Sequence, residues 1–237
     1  MKRAAVFIAL AAALSPALAE EKSEGWTFGV APYVFGASMH GSMTIKGHEA
    51  NIDLSRGDIF DHMDFGAMAM VAARKGKWGV MGDAIWVNLG VDTQVGKLDP
   101  ALGVVSVAGL RRVASFADVT FGARWTHLDA DLDLTVPVPM SLSKSRDWVD
   151  PTVGFILKTP EGRRWHASLL ADVGGFGVGS DLTWQAMPTV GVDLAKWVSI
   201  DAGWRWLDTD YESGSGADAF KYDIMLEGPV LGATFRF

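Results

Sequence analysis

The sequence predicts an all-β protein that closes into a transmembrane, antiparallel, up-and-down β-barrel of about ten strands, with eight as the alternative count. Three observations support this prediction. Apolar and polar residues alternate with period two in successive segments, aromatic residues recur near segment ends, and the last segment ends in Phe237. Apolar residues make up 49% of the chain, yet no run is long enough for a transmembrane helix. Such a chain crosses a membrane only as a closed barrel, because an open sheet edge leaves backbone groups unpaired in lipid.

The N-terminus has the three parts of a secretory signal peptide. Lys2 and Arg3 form a basic start, residues 4–14 are an apolar run, and residues 17–19 read Ala-Leu-Ala, a cleavage site of small residues. The run is shorter than the ~20 residues that span a bilayer, which disfavours the alternative of an anchor helix. We predict a signal peptide at residues 1–19 and one outer-membrane barrel domain at residues 20–237.

Composition narrows the functional classes. Loss of residues 1–19 removes two of 21 basic residues and none of the 28 acidic ones, which leaves a formal charge of −9. An acidic exported chain is a poor candidate for nucleic-acid binding. The sequence has no cysteine, so disulfides and thiolate metal sites are excluded.

The first predicted strand covers residues 26–39, because Trp26 and the apolar residues that alternate after it share one face. Residues 40–62 form a polar segment that has room for a small hairpin at 43–45 and 50–54. The segment holds three histidines without metal-ligand spacing, which we interpret as solvated side chains: His40, His48 and His62.

Strands at 65–74 and 78–89 follow, joined by a tight turn at Lys75-Gly76. Residues 90–102 are predicted as a loop, although residues 91–95 could extend the preceding strand. The later strands are predicted at residues 103–113, 115–130, 148–158, 165–174, 183–192, 198–206 and 220–237.

The connections between these strands alternate between short and long. Those near residues 75, 114, 161 and 195 are short, and those near 50, 96, 139 and 215 are longer, with 178 as the exception. Short periplasmic turns and longer external loops are typical of outer-membrane barrels. In the closing strand the apolar face inverts at residues 227–229, where we expect a β-bulge that accommodates Pro229.

Tryptophans mark the two ends of the predicted lipid-facing band. Trp78 and Trp86 share a face eight residues apart, which corresponds to ~20 Å along the membrane normal after strand tilt. Trp197 is an exception, because its position in the alternation places it on the polar face of its strand; we therefore expect it in a turn. The predicted aromatic girdle consists of Trp26, Trp78, Trp86, Trp125, Trp165, Trp184, Trp204 and Phe237.

The opposite face of the strands carries small residues and single charges, which suits a narrow barrel interior. Buried charges must be paired, so we expect an ion-pair network around Arg124 and Arg205 that braces the lumen. The alternative is a charged constriction in a small pore, but ten strands leave little room for an open channel. The predicted network comprises Asp83, Asp118, Arg124, Asp150, Asp172, Asp201, Arg205 and Glu227.

Two clusters near the predicted outer rim could hold an attacking water: His127 with Asp129 and Asp131, and Asp208 with Asp210 and Tyr211. Ten strands are also found in the omptins, outer-membrane proteases, although no omptin motif is matched. Solvated strand ends are common before loops and explain these residues better than catalysis does, so we predict no catalysis, cofactor or metal site. His166 and Ser168 share a strand face at the predicted periplasmic end, and the Gly-rich residues 174–181 are predicted as a tight β-connection.

Four segments resemble the small, poorly characterised outer-membrane β-barrel family of Gram-negative bacteria. They are FGAMAMVAARKGKWGVMGDAIWVNL at 65–89, WVDPTVG at 148–154, and GWRWLDTDY at 203–211 followed by EGPVLGATFRF at 227–237. The resemblance implies an outer-membrane location, contact with lipids and the barrel-assembly machinery, and no agreed activity. The expected role is structural or that of a minor pore, with surface loops that bind an unknown ligand or solute. A soluble periplasmic barrel that binds a lipophile is the alternative, in which the apolar face points inward.

Overall fold

The computed structural model describes residues 25–237 except 46, 47, 90, 94, 95, 135–139, 161 and 216–218, so the predicted signal peptide lies outside the described residues. Within the described residues, no helix is long and apolar enough to cross a membrane. The elements are β1 (Thr27–Phe35), β2 (Ser38–Ile45), β3 (His48–Leu54), α1 (Arg56–Asp61), β4 (Met63–Lys75), β5 (Trp78–Leu89), β6 (Val91–Thr93), β7 (Gly96–Ala114), β8 (Ala117–Leu134), β9 (Met140–Lys158), β10 (Trp165–Gly175), β11 (Leu182–Ala195), β12 (Val198–Ser213) and β13 (Phe220–Arg236).

The described strands form a closed antiparallel barrel of ten strands, as predicted. Around the barrel the order is β1, β4, β5, β7, β8, β9, β10, β11, β12 and β13, and β1 closes the circle by pairing with β13. Three further described strands lie off this path: β2 pairs with β13 beyond the end of β1, β3 pairs with β2, and β6 pairs with β7. Closure satisfies the backbone groups that an open sheet would leave unpaired at its edges.

The closing strand β13 pairs with β1 and β2 as if they were one strand. The register runs from Gly29 opposite Arg236 to Ile45 opposite Phe220 without a slip, and across the break the Gly36 amide donates to the Pro229 carbonyl at 2.9 Å. On its other edge β13 pairs with β12 continuously. The predicted bulge at residues 227–229 is therefore wrong. Pro229 is tolerated because its carbonyl, not its missing N–H, makes the bond at this point.

The polar segment after the first strand contains the predicted hairpin, now as β2 and β3, and a short helix that the sequence analysis did not predict. Ser55 and Asp58 cap α1 reciprocally, since each side chain accepts from the backbone amide of the other. Ile59 on this helix is buried, and the Arg56 guanidinium lies 5.4 Å from the Trp204 ring centroid. The helix thus links the hairpin to the barrel wall before β4 begins.

Strand lengths differ strongly at the end of the barrel that holds the longer connections, here called the upper end. Residues 96–102 and 140–147, predicted as loop, belong to β7 and β9, and β8 continues to Leu134. Strands β7, β8 and β9 form one tall wall, and β12, β13, β2 and β3 form a second. These two stretches have a loop-like composition because strand segments that extend beyond the apolar band do not need alternating apolar residues.

The two faces of the barrel have opposite chemistry. Large apolar side chains stand exposed on the outside over the lower part of the barrel, among them Val190 at 60% and Leu231 at 58% exposure. Charged side chains on the inside are buried, with Arg205 at 0% and Arg124 at 1%. This arrangement is the reverse of that expected for the soluble alternative, in which the apolar face points inward.

We predict that Gly228→Ala impairs closure of the barrel. A Cβ on Gly228 would lie 1.9 Å from the Gly36 carbonyl oxygen, so the seam between β13 and β1–β2 would have to shift. Overpacking of this kind costs about 1–3 kcal/mol or more. The fraction of refolded chain that keeps fast electrophoretic mobility without heating should fall.

Gly29→Ala is the matched control, because its Cβ would meet only the Phe235 carbonyl oxygen at an ordinary 3.8 Å. Equal refolding of both variants would contradict the seam argument.

Candidate functional site

Arg205 lies at the centre of the lumen. Its Nη2 donates to Asp83 Oδ2 and to Gln185 Oε1, both at 2.6 Å. Its Nη1 donates to the Tyr33 hydroxyl at 2.9 Å, and that hydroxyl donates to Asp83 Oδ1 at 2.7 Å. These groups reach one point because alternate residues of β1, β5, β11 and β12 face inward. A buried guanidinium is tolerated here because a carboxylate and two further acceptors surround it.

Arg124 forms a second centre on the opposite wall. Its Nη2 donates to Asp172 Oδ1 at 2.7 Å, and its Nη1 donates to Thr183 Oγ1 at 2.9 Å. Its Nε donates to Ser106 Oγ at 3.2 Å. The guanidinium therefore bonds to β10, β11 and β7 at once.

Gln185 joins the two centres. Its amide oxygen accepts from Arg205, and its amide nitrogen donates to Asp172 Oδ2 at 2.5 Å. The result is a continuous hydrogen-bonded chain across the lumen, here called the cross-lumen network, from Tyr33 on β1 to Ser106 on β7. This network braces the barrel and occupies the space that a solute would need.

Only some of the predicted lumen charges belong to the cross-lumen network. Its four charged members are Asp83, Asp172, Arg124 and Arg205. Asp150 is buried nearby but accepts from the Ser180 amide at 2.6 Å and from Trp148 Nε1 at 3.1 Å. The Ser180 amide belongs to the Gly-rich segment 174–181, whose compact turn holds Phe176 at φ 53°.

Asp118 and Asp201 lie in separate clusters toward the lower end. Asp118 accepts both Nη groups of Arg74, at 3.0 and 2.6 Å. Asp201 accepts from Thr234 Oγ1 at 2.7 Å and from Ser199 Oγ at 3.0 Å, and it contacts His166 Nε2 at 2.6 Å. Ser168 pairs with Thr189 instead of His166, so the two residues form no catalytic pair.

The inward placement of Glu227 is wrong. Glu227 pairs in register with Trp206, whereas its neighbour Gly228 pairs with the buried Arg205. Paired residues share a face, so Glu227 points outward with Trp206. The expectation depended on a bulge that β13 does not contain.

Sequence reasoning also missed several members of the lumen clusters. They are uncharged, so a criterion based on charged residues does not find them: Tyr33, Gln185, Thr183 and Ser106. Tyr33 has the inward parity of β1, and Gln185 that of β11, so a search for polar residues on the inward face would have found both.

The outward aromatic side chains fall into two groups along the strands. Toward the lower end Trp26, Trp78, Trp165 and Phe237 are strongly exposed, and Trp197 joins them from the turn before β12, stacked on Phe235. Trp86, Trp125, Trp184 and Trp204 lie higher on their strands and are partly buried. Such residues suit the boundary between an apolar and an aqueous phase.

His127 is part of the upper aromatic group. Its ring stacks against those of Trp86 and Trp125, with centroids 5.5 and 5.6 Å away, and its Nδ1 contacts Asp147 Oδ1 at 2.9 Å. The same carboxylate oxygen accepts from Trp125 Nε1 at 3.1 Å. Asp129 follows on β8, and the side chain of Asp131 lies outside the described residues. The ring is thus held by packing on the outside of the barrel.

The second rim cluster divides between the two faces of β12. Tyr211 points inward and stacks on Trp148 at 4.1 Å, while Asp210 pairs in register with Asp223. Partial burial raises the pKa of Asp210, and the nearby carboxylates of Asp223, Asp181 and Glu212 raise it further. The structure brings none of these groups into contact with His127.

The remaining histidines have local partners. His40 contacts Asp53 at 2.8 Å and Ser38 at 3.1 Å, and His62 Nδ1 contacts the Asp58 carbonyl at 2.7 Å. The side chain of His48 lies outside the described residues. Within the described part of the chain, no group of three His, Asp or Glu side chains is placed to hold a metal ion.

No protein-family model and no curated protein matches the sequence. Among solved structures the chain is similar to Ail, the attachment invasion locus protein of Yersinia pestis, with 14% identity and a TM-score of 0.43 over 90% of this chain and 99% of that one. It is also similar to Neisserial surface protein A, with 13% identity and a TM-score of 0.36 over 90% of this chain and 100% of that one. For the translocator domain of NalP from Neisseria meningitidis the identity is 12% and the TM-score 0.40, over 92% of this chain and 90% of that one. At these TM-scores the likeness carries no functional argument.

We predict that Arg205→Met destabilises the barrel by about 3–5 kcal/mol, because it leaves the buried Asp83 carboxylate without its cation. Urea unfolding in detergent micelles, followed by tryptophan fluorescence, measures the loss. Arg163→Met, in an exposed turn, is the control and should unfold like the wild type. Adding Asp83→Asn to Arg205→Met should recover part of the loss, and equal stability of the two arginine variants would refute the network's role.

We predict that Asp210→Asn stabilises the upper wall at neutral pH but not in acid. The raised pKa means that the folded state favours the protonated carboxyl, so wild-type stability falls as pH rises above the usual aspartate value, about 3.9. Below about pH 3 both proteins carry an uncharged side chain and should be equally stable. Resistance of residues 206–227 to limited proteolysis across this range measures the difference.

Asp58→Asn is the control of opposite sign, because hydrogen bonds from Ser55 lower the pKa of Asp58. Its ionised form supports the folded state, so this variant should lose protection above the usual carboxyl pKa. A gain in both variants would contradict the assignment.

Proposed function

We propose that this protein is an outer-membrane β-barrel with a sealed lumen that serves as a structural scaffold for its two tall upper walls. The observation that carries the proposal is the cross-lumen network, in which Arg205, Gln185 and Arg124 connect opposite walls of the barrel. A hydrophilic solute would have to break several buried, charge-assisted hydrogen bonds to pass. A role as a minor pore is therefore the weaker candidate.

The exposed apolar band supports the membrane location. A monomeric soluble protein rarely exposes a continuous apolar surface, and here Val, Leu and Phe side chains stand outward on strands all around the barrel. Aromatic residues lie at both edges of this band, as in barrels that sit in lipid. Outer-membrane lipids are accordingly the proposed partners of the band, and the barrel-assembly machinery is the proposed partner during insertion.

The proposal includes no catalysis. Support comes from the surroundings of the two rim clusters: the His127 ring lies between two indole rings, and Asp210 lies among other carboxylates. An omptin-like hydrolase needs a base and an acid that act on one water molecule, and these two groups lie four strands apart around the barrel.

We predict that the refolded chain, residues 20–237, inserts into a planar lipid bilayer without steady conductance steps. Insertion is verified separately by protease protection in vesicles. Arg124→Ala with Arg205→Ala should open a measurable leak, because the two side chains that bridge the lumen are removed. Arg163→Ala, in an exposed turn, should remain silent. Regular steps from the wild type would overturn the sealed scaffold and favour the minor pore.

A further inference from the structure

Above the cross-lumen network the interior of the barrel changes from polar to apolar. On β13 the inward residues at the lower end are Gly232, Thr234 and Arg236, whereas the inward residues at the upper end are Phe220, Tyr222, Ile224 and Leu226, each 5% exposed or less. The outward residues change in the opposite sense, to Lys221, Asp223 and Glu227. The strand therefore keeps one register while its apolar side changes from lipid-facing to lumen-facing.

The two upper walls enclose a cavity of about 280 Å³, here called the upper chamber. Phe35, Ile85 and Leu226 form its base, and Phe35 lies directly against the network, with its ring 5.9 Å from the Arg205 guanidinium carbon. Ile59 of α1 contributes to the lining from the side. Phe35 thus lies between the chamber and the arginine that crosses the lumen.

Both walls contribute apolar side chains to the chamber. Met39 and Met43 come from β2, and Leu102 and Leu128 come from β7 and β8. Methionine is flexible and polarisable, so these side chains can adapt to ligands of different shape. The walls are also tied to each other, because the Arg146 guanidinium carbon lies 5.6 Å from the Phe220 ring centroid.

The chemistry of the lining defines the ligand. Its two charged residues, Asp129 and Arg146, have opposite signs, and every other lining residue is apolar or Tyr222. A bound water needs two to four polar partners, which this lining does not supply over most of its surface. A charged ligand would lose its hydration over most of this surface without compensation, because only Asp129 and Arg146 carry charge. The lining suits an uncharged, hydrocarbon-like molecule.

The size of the chamber limits the ligand further. A protein cavity of about 150 Å³ lined by aliphatic and aromatic residues admits one benzene molecule. The upper chamber has nearly twice that volume, which corresponds to a molecule of two fused rings or a short alkyl chain. We propose that the upper chamber is a binding site for one uncharged hydrocarbon group of this size, reached from the upper end of the barrel. The group is either a free small molecule or the end of a lipid acyl chain.

The test uses radiolabelled naphthalene as the probe and equilibrium dialysis as the measurement. The refolded chain, residues 20–237, is held in a lipid-free amphipathic polymer, with protein-free polymer as the blank. We expect one saturable site per barrel. Val87→Phe, which places a ring in the chamber, should weaken binding by about tenfold or more because a close-packed interior leaves no second space for the probe.

Val107→Phe is the matched control, since the same substitution falls on a side chain that is 53% exposed on the outside of the barrel. It should bind naphthalene like the wild type. Leu102→Phe provides a second chamber variant if Val87→Phe fails to refold. Unsaturable binding in the wild type, or equal binding in all four proteins, would overturn the proposal.

A second arm identifies the source of the hydrocarbon. The dialysis is repeated with the barrel in phosphatidylcholine nanodiscs. Unchanged saturable binding supports a free small molecule as occupant, and loss of binding only in nanodiscs supports an acyl chain that competes for the chamber. These outcomes are independent of bilayer conductance, so failure of the chamber proposal is distinguishable from failure of the sealed scaffold.

Discussion

The interior of the barrel depends on one constraint: each of two buried arginines must be paired with a carboxylate. A guanidinium without acceptors cannot be tolerated in a narrow lumen, so Arg205 and Arg124 require inward-facing partners from several strands at one height. Those partners are correctly placed only when every strand keeps its register, since a slip of one residue would turn Asp83 or Asp172 outward. The network therefore links the identity of a few side chains to the pairing of the whole sheet.

The same network divides the barrel into two regions. Below it the lumen holds further paired charges, such as Arg74 with Asp118, and the outside of the barrel is apolar. Above it the lumen is apolar, and three of the four outward residues of β13, Lys221, Asp223 and Glu227, are charged. The outer face of the barrel is therefore apolar below the network and more polar above it. The change of the apolar face along β13 marks the height at which the outer surface leaves the apolar band. Contact between Phe35 and Arg205 joins the two regions.

The alternation of apolar and polar residues predicted the ten strands and their inward and outward faces wherever a strand lies within the apolar band. Above the band it did not predict where the strands end. Residues 96–102 and 140–147 were expected to belong to loops, although the backbone continues in register in the strands that contain them. The apolar inversion on β13 was attributed to a bulge near Pro229, and this placed Glu227 inside. The register shows instead that the environment changes while the strand does not.

The sequence by itself determined the class of the protein, its strand count and the inward position of the principal charges, because period-two alternation is a local property that needs no partner to be read. Only the tertiary structure decided which charges meet. Arg205 and Asp83 are 122 residues apart, and their contact depends on closure of the sheet between β13 and β1. The uncharged members of the network and the upper chamber likewise arise from strands that are distant in sequence. Closure of the barrel brings the inward faces of these strands together around one interior.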